Sequence, residues 1–235
     1  MGLKILLIIP AYNEEDNIAN LISSINKVNI ANLEILVVND CSLDKTHLIC
    51  SNLQVNVINL PCNLGIGGAV QTGYRFAYKN DYDIAIQVDG DGQHKPEYIE
   101  QLIQPIIERN VDLVIGSRYI QKEGFQSTLL RRIGINYFSK LLFTLTGQLI
   151  TDPTSGFRAC NRRVIEIFSK RYPVDYPEPE SIMYLKRNLF TIEEIPVVMK
   201  SRESGTSSIT SFKSVYYMLK VSMAIMIDKL RREAV

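Results

Sequence analysis

Cysteine and histidine are scarce in this chain and badly placed for metal chemistry. The four cysteines, Cys41, Cys50, Cys62 and Cys160, form no CxxC pair, and neither His47 nor His94 stands at zinc-finger spacing from them. Zinc modules are excluded, and the reduced thiols of a cytoplasmic protein are the expectation. Charge of one sign is also missing. The 26 basic and 25 acidic residues leave a formal net charge of +1, so there is no strongly basic domain of the kind that binds nucleic acid. No apolar run approaches the roughly 20 residues of a membrane span, because 133–150 is interrupted by Asn136, Lys140 and Gln148, and 215–227 by Lys220. The apolar stretch from Leu3 to Pro10 turns polar too soon for a signal peptide. A GxxxxGK[ST] phosphate loop and a GxSxG elbow are both absent, and a GxGxxG fingerprint counted from Gly65 fails at Val70. Phosphate-loop hydrolysis, that type of serine hydrolysis and dinucleotide binding therefore have no local support.

What the sequence does have is alternation. Short Ile- and Val-rich runs at 4–9, 34–38, 55–60, 84–88 and 112–115 are bounded by polar turns and read as buried strands. Between them lie helical patterns at 14–28, with Asn13 as the expected N-cap, at 44–50 and 66–78, and from Pro96 to about Glu108. Strand and helix in turn predict an α/β fold with a largely parallel sheet. After Gly116 the rhythm breaks into a loop at 119–128, an amphipathic helix from about Leu130 to Thr146, the Gly156 segment, two helical stretches and a strand at 192–198.

Asp89-Gly90-Asp91-Gly92-Gln93 follows the fourth strand directly. Both carboxylates therefore leave the C-terminal edge of the sheet, where open α/β sheets place ligands. Two such close carboxylates repel one another, and a hard divalent cation, Mg²⁺ or Mn²⁺, relieves that cost while also binding diphosphate oxygens. Gln93 offers a third oxygen. The competing reading is a plain Asp-Gly turn. An EF-hand loop counted from Asp89 is excluded, because its sixth position is His94 where glycine is needed.

Six further segments accompany this pair in a fixed order. They are Ile9-Pro-Ala-Tyr-Asn-Glu14, Val38-Asn-Asp-Cys-Ser-Leu-Asp-Lys-Thr46, Asn63-Leu-Gly-Ile-Gly67, Gly116-Ser-Arg-Tyr119, Thr154-Ser-Gly-Phe-Arg158 and Arg202-Glu-Ser-Gly-Thr-Ser207. With them the chain resembles the inverting glycosyltransferases of family 2, and among these the dolichyl- and undecaprenyl-phosphate glycosyltransferases. The resemblance covers nearly the whole chain. It implies a GT-A nucleotide-diphosphosugar transferase fold, a mostly parallel central sheet flanked by helices, in a single domain over 1–235. Residues 1–118 would bind the nucleotide-sugar, 119–210 would form the acceptor half, and 211–235 a C-terminal amphipathic helix. By the same resemblance Pro10, Ala11, Tyr12, Glu14, Asp40 and Gly67 hold the nucleotide, and Asp89, Asp91 and Gln93 hold the metal on the diphosphate. Asn39 stands where the family often has a first aspartate. Close helix packing is the alternative use for Gly67.

Arg118, Arg131, Arg132 and Arg202 are the candidate phosphate ligands, since a guanidinium fork suits phosphate oxygens. Surface ion pairing is the alternative for each. The acceptor is open at this level. A polyprenyl phosphate is already anionic and needs cations, whereas a saccharide hydroxyl benefits from a carboxylate base. Glu178 and Glu180 are the candidates for that base, with acids at a helix start as the plainer explanation. Phe138, Leu141, Leu142, Leu145 and Leu149 beside Lys140 form one apolar stripe. Tyr216, Leu219, Met223, Met226 and Ile227 among Lys213, Lys220, Lys229, Arg231 and Arg232 form another. Each suits an interfacial helix on the cytoplasmic face of a membrane, and each equally suits core packing or a homo-oligomer contact. With no span in the sequence, a small membrane protein partner is the expected anchor. Transfer of a hexosyl group from a UDP- or GDP-sugar to polyprenyl phosphate is the expected activity. The alternatives are transfer to a saccharide hydroxyl and a catalytically silent nucleotide-sugar-binding subunit.

Overall fold

The computed structural model describes residues 2–201 and 211–231, with the side chains of Leu130 and 211–215 left aside. Seven strands, β1 (Ile5–Ala11), β2 (Leu33–Asn39), β3 (Asn56–Asn59), β4 (Ile84–Gln87), β5 (Leu113–Ser117), β6 (Arg158–Asn161) and β7 (Ile192–Pro196), form one sheet in the order β3-β2-β1-β4-β6-β5-β7. Among the described residues eight helices flank it: α1 (Ile18–Asn26), α2 (Thr46–Asn52), α3 (Gly65–Lys79), α4 (Ile99–Arg109), α5 (Leu129–Thr146), α6 (Arg162–Lys170), α7 (Pro177–Arg187) and α8 (Ser211–Leu230).

Every residue of β1 is buried, as the continuous apolar run requires of a strand covered on both faces. Leu6 and Ile8 pack with α3, α5, α6, α7 and α8, while Ile5, Leu7 and Ile9 pack with α1 and α4. Each buried leucine or isoleucine contributes about 1.5–3 kcal/mol, so the two apolar layers clamp the central strands. The loops at their C-terminal ends thereby sit on a rigid base.

Three expectations change. The Gly156 segment runs into β6, antiparallel to both β4 and β5. Its four residues, Arg-Ala-Cys-Asn, carry no alternation that reads as a strand, and it is the sheet that recruits them. Asn13 does not cap α1, which begins at Ile18. Asn13 sits at φ 56° and its Oδ1 accepts the N–H of Leu43 at 2.8 Å. The pattern from Pro96 divides into a 3₁₀ turn, Pro96–Tyr98, and then α4.

The two apolar stripes part company. In α5, Phe138 and Leu142 are buried in the core and Leu141 and Leu145 pack against it, so that stripe is an internal face, with Leu149 beyond it exposed. In α8, Tyr216, Leu219, Met223, Met226 and Ile227 are all exposed, while Val221 and Ile225 on the opposite side are buried. Helical spacing on two faces accounts for the split. No helix among the described residues is long and apolar enough to cross a membrane.

Candidate active site

The chain adds β2 and β3 on one side of β1 and returns to place β4 on the other, so strand order reverses between β1 and β4. The crevice at such a switch point is where open α/β sheets bind ligands. The loops after β1 and β2 are laced together there. Main-chain N–H groups of Asn13, Glu14 and Glu15 donate to Ser42 Oγ, Thr46 Oγ1 and Asp44 Oδ2, at 3.0, 2.8 and 3.0 Å. Lys45 N–H returns a bond to Glu15 Oε2 at 3.0 Å. Pro10 and Ala11 are buried at the strand end, and Tyr12 projects into solvent. Glu14 accepts from Asn17 Nδ2 at 2.8 Å. Asp40 is buried, and its Oδ1 accepts the N–H of Leu64 at 2.7 Å, which ties the β2 loop to the start of α3. Asn39 serves the loop: its amide donates to Asn59 Oδ1 and its oxygen accepts from Ser42 N–H.

The β4 loop closes on the same crevice. A side chain at position 90 would begin 3.0 Å from the Pro10 carbonyl oxygen and 3.3 Å from Cγ of Glu14, so the Asp89–Asp91 turn rests on the first loop. Asp91 is nearly covered and its Oδ1 accepts the N–H of Gln93 at 3.1 Å, whereas the Asp89 side chain is 36% exposed. Gly156 lies against Asp89 closely enough that a Cβ there would meet both carboxylate oxygens at 2.7 Å. Gln93 is held by its Nε2 donating to the Lys200 carbonyl at 3.1 Å. Among the described residues no three His, Cys, Asp or Glu side chains converge as a cation cage. Two neighbouring carboxylates without sulfur ligands suit a hard cation that takes its remaining oxygens from a bound diphosphate and water.

Behind Asp89 lies a polar cluster in which Glu178 is a candidate from the sequence, while Arg158 and Gln87 are given no role by it. Arg158 of β6 is 1% exposed, and its guanidinium donates to the carbonyls of Ser155, Glu178 and Pro153 and to Ser181 Oγ, at 2.6 to 3.1 Å. Gln87, fully buried in β4, donates to Asp89 Oδ1 at 3.3 Å. The Glu178 carboxyl bonds Gln87 and is pushed up to about 7, by burial first and then by the Asp89 charge, against the opposing pull of Arg158. Glu178 is thus brought together with Asp89. Glu180 is not: it lines a separate cavity of about 210 Å³ with Arg171 and Tyr184, and burial and then Asp228 raise its carboxyl. One polar signal pointed to the cluster beforehand, a glutamine interrupting Ile84-Ala-Ile-Gln-Val88.

The arginines separate as well. Arg118 makes a two-pronged pair with the fully buried Asp152, Nε to Oδ2 at 2.7 Å and Nη2 to Oδ1 at 2.8 Å. Arg131 and Arg132 are exposed on the first turn of α5. Arg202, the segment Arg202–Ser207 and Arg232 lie outside the described residues. Gly67 is used in packing: its N–H donates to the Val174 carbonyl at 3.2 Å, and a Cβ there would fall 2.1 Å from the Pro173 carbonyl oxygen.

This crevice, with a carboxylate pair at its floor, belongs to an established class. The chain is a member of glycosyl transferase family 2, whose sequence profile matches residues 6–168, and it is a glycosyltransferase. Its likeness to particular members runs nearly end to end. It is 33% identical to the UDP-N-acetylglucosamine–dolichyl-phosphate N-acetylglucosaminyltransferase of Methanococcus voltae, over 95% of this chain and 98% of that one. It is 28% identical to the polyprenol monophosphomannose synthase of Mycolicibacterium smegmatis, over 93% and 86%. Among solved structures, glucosyl-3-phosphoglycerate synthase from Mycobacterium tuberculosis, in complex with Mn²⁺, UDP and phosphoglyceric acid, superimposes with a TM-score of 0.74 at 19% identity. That match covers 97% of this chain and 78% of the other. The likeness establishes the GT-A fold.

Proposed function

We propose that the protein transfers a hexosyl group from a UDP- or GDP-sugar to a polyprenyl phosphate, with inversion at the sugar carbon. The observation that carries this reading is the pairing of the switch-point crevice with near full-length similarity to relatives named for dolichyl- and polyprenol-phosphate acceptors. The laced loops after β1 and β2 form the nucleoside side, with exposed Tyr12 at its lip and buried Asp40 beneath. Asp89 and Asp91 would hold Mg²⁺ or Mn²⁺, which when bound supplies Lewis-acid stabilisation of the departing diphosphate. A lipid phosphate is anionic at neutral pH and needs no base, and Arg131 and Arg132, exposed at the head of α5, place two cations at the surface to meet it.

The exposed apolar face of α8 supports a peripheral site of action at a membrane surface. Met223, Met226 and Ile227 lie on one side of it, and Lys229 and Arg231 follow at its end. A second reading, transfer to a saccharide hydroxyl, is favoured by one feature: Glu178, raised to about 7 beside Asp89, has the proton affinity of a general base. The test is incubation with Mn²⁺ or Mg²⁺, radiolabelled UDP- and GDP-sugars and short-chain polyprenyl phosphate, with Asp91→Ala as the control. Metal-dependent label in the organic phase, lost in the control, is the expected result. Label entering saccharide alone would replace this reading with the hydroxyl one.

A further inference from the structure

Asp89 is gripped from two sides by residues that face no solvent of their own. His94 is buried, and its ring is stacked on Phe157 with centroids 4.9 Å apart and planes 13° from parallel. Its Nδ1 accepts the main-chain N–H of Asp89 at 3.1 Å, which in a neutral ring leaves the proton on Nε2. That Nε2 stands 3.7 Å from Asp89 Oδ2, close to but beyond hydrogen-bond length. On the other side Gln87 Nε2 donates to Asp89 Oδ1 at 3.3 Å, while its Oε1 lies 3.5 Å from the hydroxyl of buried Tyr172. An amide buried between Ile86 and Val88 is costly unless its partners require it, and the partners of Gln87 are Asp89, Tyr172 and Glu178.

We infer that His94 and Gln87 are positioning residues for Asp89, presetting its carboxylate so that one oxygen is held from below and the other is left for a cation. This rests on the metal reading proposed above. His94 fixes the main chain through the Asp89 N–H, Gln87 fixes Oδ1, and Oδ2, with Nε2 of His94 beyond hydrogen-bond length, stays open to the cation. The stacking on Phe157 prevents the imidazole from turning away. Both residues are buried behind Asp89. The pair acts through Asp89, as outer partners of metal ligands do when they fix ligand orientation.

The experiment is Mn²⁺ titration followed by electron paramagnetic resonance, in the presence of UDP and in parallel GDP, on the wild type, His94→Ala, His94→Asn and Gln87→Met. Nucleotide affinity in EDTA and thermal midpoints are measured alongside. His94→Asn keeps an acceptor near the Asp89 N–H but lacks the Nε2 donor, and Gln87→Met keeps volume without hydrogen bonds. Mn²⁺ affinity is expected to fall about 10-fold or more in His94→Ala and Gln87→Met, with His94→Asn between them and wild type and metal-free nucleotide affinity unchanged. Unaltered Mn²⁺ affinity in the folded variants would overturn the inference. If Gln87→Met fails to fold, the two His94 variants decide it. A wild type that takes up no Mn²⁺ with either nucleotide would instead overturn the metal reading itself.

Discussion

Asp89 and Asp91 are two residues apart yet have different surroundings, one open to the crevice and the other nearly covered. The space Asp89 occupies is set by Gly156, a residue sixty-seven positions away whose Cβ would strike both oxygens at 2.7 Å. Gly156→Ala is therefore expected to displace the carboxylate and lower transferase activity at least 10-fold, with circular dichroism unchanged. Activity equal to wild type would show that Asp89 has another place to go. Glu178 makes a second test at this scale. Its carboxyl, raised from 4.5 to about 7, binds a proton more tightly in the folded state. It therefore contributes stability that is complete below about pH 4.5 and lost as pH rises through about 7. In EDTA, the wild type is expected to lose roughly 1–3 kcal/mol relative to Glu178→Gln between pH 5 and pH 8, read from urea midpoints. A parallel pair of curves would remove the raised proton affinity and, with it, the case for Glu178 as a base.

Elements carry the next layer. The start of α3 meets the Pro173–Val174 turn main chain to main chain at Gly67. This gives the glycine cluster a packing use, alongside the nucleotide contact that the resemblance implies. Gly67→Ala is expected to destabilise the protein by about 1–3 kcal/mol, as overpacking does, in chemical denaturation. Loss of nucleotide affinity with unchanged stability would favour the binding role over the packing one. The motif Gly116-Ser-Arg-Tyr119 was legible as a motif, but its arginine points to Asp152 rather than outward. Short strings mark where a loop must be special, and they leave open whether the special demand is a ligand or a neighbouring loop. The missed strand β6 has the same cause: four residues with a central Ala-Cys have no periodicity of their own, and only two waiting neighbours, β4 and β5, make them a strand.

At the scale of the whole molecule, α5 and α8 run side by side, joined by Tyr137 Oη to Ser222 Oγ at 2.9 Å and by Lys229 Nζ to the Leu145 carbonyl at 2.8 Å. This pairing turns the Phe138–Leu142 stripe inward and leaves the α8 stripe outward. Leu219→Glu with Met223→Glu is expected to abolish sedimentation of the protein with anionic phospholipid vesicles while leaving its thermal midpoint within a few degrees. Undiminished sedimentation would move the membrane face elsewhere. The sequence alone determined the alternation of strand and helix, the largely parallel sheet and the carboxylate pair at its edge, because hydrophobic period and turn chemistry act between near neighbours in the chain. Only tertiary structure decided that Glu178 and not Glu180 feels the Asp89 charge, that Arg158 is buried beside them, and that one apolar stripe faces the core and the other water. Those outcomes depend on which distant segments pack together, and residues on one amphipathic pattern carry no mark of the neighbour that will cover them.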